Sequence, residues 1–107
     1  MKQIIRQGDV LLKMVEKEPP IGAKVTQKVI LAEGELTGHT HVLTANKILE
    51  WEENGQRYIQ VSSDDNGVLF HEDHDPTPVA VVTPKVTYHI IPQQEWSLAD
   101  QWRKVQD

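Results

Sequence analysis

Apolar positions along this chain come in short runs separated by turn residues, the pattern of strands rather than of long helices. Residues 9–15 (DVLLKMV) follow Gly8 and are rich in strand formers. The sequence EPPIG at 18–22 breaks the chain. Residues 24–31 (KVTQKVIL) read as a strand with Val25 and Val29 on one face. Residues 36–44 are expected to be extended after Gly34 and Gly38. Residues 47–51 and 57–61 flank Glu53-Asn54-Gly55-Gln56, and Asn-Gly between two such runs signals a hairpin. A turn at 63–67 (SDDNG) leads into 68–71, and the strands 78–82 and 86–91 surround Thr83-Pro84-Lys85.

One helix is expected, at 98–105. Ser97 is its N-cap, with Asp100 three residues on, and Leu98, Trp102 and Val105 share one face. About eight short strands and one C-terminal helix define a mainly β domain, a small β-barrel or sandwich.

With 107 residues the chain suits one domain with one core. Its formal net charge of −5 argues against general affinity for the nucleic-acid backbone. It contains no cysteine, so disulfides and thiolate zinc sites are both excluded. Any metal has to be held by His, Asp, Glu, carbonyls or water. No apolar run suits a signal peptide or a membrane span, so a cytoplasmic location is the expectation. A sheet this small has edges that invite pairing with a second copy, so a homodimer is an expected partner state.

Four of the five histidines sit in two knots, TGHTH at 37–41 and HEDHDP at 71–76. In an extended strand His39 and His41 project from the same face and can chelate together. His71 and His74 converge only where a strand runs into a turn, which Pro76 favours. Three of these histidines, with a carboxylate or water, suit zinc, iron or manganese. His39, His41, His71 and His74 are therefore the candidate ligands of a divalent metal. Glu35 and Glu72 are candidate proton carriers, and Glu72 is also placed to orient a histidine. Each glutamate has an ordinary alternative as a solvated surface residue. HEDHD is not HExxH, and Asp64-Asp65-Asn66-Gly67 lacks the spacing of a calcium loop. His89 reads as outward-facing on its strand, and Trp51, Trp96 and Trp102 as core or interface residues.

RQGDVL at 6–11, GELTGHTH at 34–41, LFHEDHDP at 69–76 and the tail from Tyr88 to Trp96 occur in that order. Together they resemble a small, functionally uncharacterised domain of bacteria and their phages, marked by a TGHxH element and a later HE(D/E)H element. The resemblance covers nearly the whole chain and singles out His39, His41, His71, Glu72 and His74. The HxH with a later histidine is also similar to cupins, whose barrels hold a metal by histidines and a glutamate. The later histidine here lies in HEDH instead of after a PxG turn. JAMM metalloproteases share a glutamate followed by HxH, but Leu49 and Glu52 stand where their serine and aspartate belong.

The expectation is a metal-dependent hydrolase acting on a small polar or phosphorylated, nucleotide-like substrate. Two alternatives stand beside it. One is a non-catalytic bacterial or phage accessory module with structural histidines. The other is metal-free acid–base chemistry by His39 and His41 on a phosphodiester.

Overall fold

A computed structural model describes residues 3–7, 10–33, 40–71 and 79–92. All the regular structure among them is strand: β1 (Ile4–Gln7), β2 (Val10–Val15), β3 (Lys24–Glu33), β4 (Thr40–Glu53), β5 (Gln56–Val61), β6 (Gly67–His71), β7 (Ala80–Val82) and β8 (Thr87–Pro92). The expected helix at 98–105 lies outside the described residues. Among the described residues no helix is long and apolar enough to cross a membrane.

The strands form one eight-stranded sheet in the order β1-β2-β8-β5-β4-β6-β7, with β3 on the other edge of β4. Every pairing is antiparallel. β4 pairs with β5 through Ile48–Glu53 and with β6 through His41–Thr44, along the same edge. β5 and β6 therefore lie end to end. β8 beside β5 and β7 beside β6 repeat the arrangement one strand further out.

The interruptions line up. Between the halves lie Ala45–Lys47 in β4, the bends at 63–65 and the turn at 84–85, and β3 shifts register between Thr26 and Lys28. The sheet folds along this crease. Its two halves then share one core, in which Leu43, Leu69 and Val82 meet Leu12, Ile59, Tyr88 and Ile90. β1 packs beside β7, so the sheet curls into a nearly closed small barrel, one of the two mainly β architectures expected.

Main-chain bonds hold the crease. Ser62 N–H donates to the Lys47 carbonyl at 2.8 Å, and Lys85 N–H donates to the Val61 carbonyl at 2.7 Å. Lys85 has a positive φ of 66°. Following Pro84, it takes the position that a type II turn usually gives to glycine. Its ammonium reaches the Ser62 carbonyl. Gly67 is buried where the halves meet, and an added Cβ would lie 2.8 Å from Val61 Cγ2 and 3.1 Å from Leu43 Cδ1. Glycine is needed here for space.

The Asn-Gly hairpin forms as expected, with φ of 53° at Asn54 and 77° at Gly55, as a type I′ turn requires. Two expectations need correction. Residues 40–44 and 47–51 do not belong to separate strands, because β4 runs unbroken from Thr40 to Glu53; the rest of the expected 36–44 strand lies outside the described residues. Val25 and Val29 do not share a face: Val29 is buried and Val25 is 61% exposed. The register shift between Thr26 and Lys28 sets Gln27 of β3 against Ala45–Lys47 of β4, and the buried side of β3 changes there.

The far end of β3 is held by Arg57, whose guanidinium donates to the Ile30 and Leu31 carbonyls at 3.0 and 3.4 Å and faces Glu50 at 3.3 Å. Outside the main core cluster, Trp51 and Tyr58 are both buried and are register partners with stacked rings 5.8 Å apart. His89 lies against Tyr58 at 5.2 Å. Lys17 sits over the Tyr58 ring and pairs with Glu53 at 2.7 Å. That hydrogen bond to Glu53, more than any other influence, holds the Lys17 ammonium above its ordinary value.

Candidate histidine site

Of the six residues singled out by sequence, the structure describes His41 and His71. Glu35, His39, Glu72 and His74 lie outside the described residues. The two histidines come from adjacent strands. His41 is the second residue of β4 and His71 the last of β6, and they are direct register partners. Antiparallel pairing across this edge requires Val42 opposite Phe70 and Leu43 opposite Leu69. The core residues Leu43 and Leu69 therefore fix the parity that turns both imidazoles toward the interior. Their ring centroids are 4.4 Å apart at an interplanar angle of 85°. His41 is fully buried, and His71 is half-buried.

The site occupies one end of the barrel. Glu33 pairs with Thr40 next to His41, and His71 sits across from His41. The chain segments 34–39 and 72–78, which carry the remaining sequence-singled residues, both join described strands at this end. β1 also ends here, and Gln7 at its last position is 3% exposed. Gln7 Nε2 donates to the Leu69 carbonyl at 2.8 Å, and Gln7 Oε1 lies 3.1 Å from His41 Nδ1. One side chain thus links β1 to both β6 and β4.

Sequence reasoning missed Gln7. The available signal was parity: Ile5 and Gln7 are two apart in a strand, so burying Ile5 turns a polar amide inward. Among the described residues no group of three or more His, Cys, Asp or Glu side chains could hold a metal ion. The described site is a pair of imidazoles with an amide behind one of them. Chemically, such a pair can supply two neutral nitrogen ligands, or a base and an acid near neutral pH.

A nearly closed antiparallel barrel, with a register-paired couple of histidines at one end, defines the class of this protein. The chain belongs to the family described as Domain of unknown function (DUF8820), whose family model matches residues 6–93. No curated protein and no solved structure matches the chain.

Proposed function

We propose that this domain binds a divalent metal ion, zinc, iron or manganese, through His41 and His71. His39 and His74 complete the ligand set in this reading, and Glu35 or Glu72 carries protons. The observation that supports it is the register pairing of His41 with His71. Two residues thirty positions apart in sequence, each in a histidine-rich motif, bring their rings to 4.4 Å. Nitrogen donors in a cysteine-free chain suit these metals. A bound ion of this kind would supply polarisation of a water or a substrate oxygen. The reaction class proposed is hydrolysis of a small polar or phosphorylated, nucleotide-like substrate.

A second reading, a non-catalytic module with structural histidines, is favoured by the complete burial of His41. The two separate on elemental analysis of untagged protein, followed by Zn²⁺ and Co²⁺ titration of wild type and of His41→Ala/His71→Ala. The metal reading expects near-stoichiometric binding that the double variant abolishes. It also expects binding to weaken below about pH 6.5, where protons compete for imidazole. A wild type that neither retains nor takes up metal at neutral pH defeats that reading and leaves the structural one.

A further inference from the structure

We infer that Gln7 is a positioning residue that fixes the tautomer of His41 and sets Nε2 as its lone-pair atom. The argument starts at a main-chain oxygen. The Leu69 carbonyl can only accept, so the Gln7 atom 2.8 Å from it is the donating NH₂. That orients the amide and turns Oε1 toward His41. Oε1 can also only accept, so His41 Nδ1, 3.1 Å away, carries the hydrogen. A neutral imidazole has one N–H, which leaves the lone pair on Nε2.

Both side chains are buried, so water does not compete for these bonds. The relay also crosses the seam of the barrel, since Gln7 is on β1 while Leu69 and His41 are on β6 and β4. The protonation pattern of His41 is therefore written by how the barrel closes. Metal-bound histidines commonly have their second nitrogen held in this way, by a group that fixes ring orientation and raises ligand basicity. In that respect the inference rests on the proposed metal reading; the tautomer assignment itself does not.

The test is a long-range ¹⁵N–¹H spectrum of ¹⁵N-histidine-labelled protein at about pH 8, above the ordinary imidazole value of ~6.5. His41 is assigned by the signals lost in His41→Asn. Wild type is expected to show a protonated Nδ1 and a pyridine-type Nε2. Gln7→Met, similar in size but unable to accept, is expected to lose the Nδ1–H form. Gln7→Glu restores an acceptor for Nδ1 and, with its other oxygen protonated toward the Leu69 carbonyl, is expected to recover it. A wild type with the proton on Nε2, or a Gln7→Met spectrum identical to wild type, overturns the assignment. If Gln7→Met does not fold, the wild-type and Gln7→Glu spectra decide.

Co²⁺ titration of the same proteins adds a second readout. Gln7→Met is expected to weaken binding about 10–100-fold, the usual cost of removing a group that supports a ligand, with Gln7→Glu recovering part of it. A wild type that holds Nδ1–H but binds no Co²⁺ sinks the metal reading and upholds the role of Gln7. Co²⁺ binding with the proton on Nε2 does the reverse.

Discussion

Gly67→Ala tests the crease with a single methyl group. The new Cβ would stand 2.8 Å from Val61 Cγ2 and 3.1 Å from Leu43 Cδ1, and both neighbours are fully buried. Val61 is β-branched and has little rotamer freedom with which to retreat. Its carbonyl also accepts the Lys85 N–H at 2.7 Å, which ties down its backbone. Forcing an extra carbon into a packed core costs about 1–3 kcal/mol. Gly67 does not have a positive φ, so alanine incurs no left-handed penalty and gains about 0.4–1 kcal/mol from a less flexible unfolded chain. The central values, about 2 and about 0.7 kcal/mol, leave a net loss of roughly 1.3 kcal/mol. At about 4–8 °C per kcal/mol for a domain of this size, Tm should fall by roughly 5–10 °C. Urea melts should give the same ordering, with m unchanged. The double variant Gly67→Ala/Val61→Ala isolates the contact. Val61→Ala alone should cost about 1.5–3 kcal/mol of lost burial, but adding Gly67→Ala to it should then cost little or nothing. Stability equal to or above wild type for Gly67→Ala, or strict additivity in the double variant, would refute the steric account.

Two further substitutions examine the ties that hold strands to one another. Arg57→Met removes the donors to Ile30 and Leu31 and should cost about 1.5 kcal/mol, the low end for charge-assisted bonds because the side chain is 38% exposed; amide exchange should quicken locally in the last third of β3, and uniform quickening would contradict this local role. Lys17→Met should matter less at alkaline pH. The folded value of Lys17 is raised above 10.5, so its contribution is full below 10.5 and fades as the pH climbs through the raised value. A wild-type advantage in urea melts that stays constant through that range would show that the Lys17–Glu53 bond does not carry it.

Local chemistry made several elements readable in the sequence. Asn54-Gly55 has the one residue pair that a tight hairpin prefers, and the alternation of Tyr88 and Ile90 about His89 matches their burial and its outward side. The errors arose where tertiary structure overrode local pattern. Ala45-Asn46 looked like a break because a bent strand and a chain break have the same polar signature. β1 went unread because Ile4 and Ile5 are adjacent and hide its alternation, although only Ile5 is buried. Val25 and Val29 were separated by a register shift, with its extra residues in β4, that no residue in KVTQKVIL announces. At the histidine site, HxH and HEDH were visible as motifs. That His41 would face His71 depended on a register between distant strands, and the inward amide of Gln7 carried no motif at all.

The sheet order has a consequence for how the chain is made. Of the eight described strands β1 and β2 are made first, yet β2 finds its other neighbour in β8, with Val10 beside Pro92. Gln7 must likewise wait for Leu69. Strands β3 to β7 can begin to pair as they emerge, because each of β4 to β7 neighbours a strand made one or two elements earlier. The opening hairpin cannot take its place until residue 92 has cleared the tunnel, and until then its apolar positions Val10 and Leu12 have no core to enter. Closure of the barrel through β2 therefore waits for β8, the last of the eight described strands to be made.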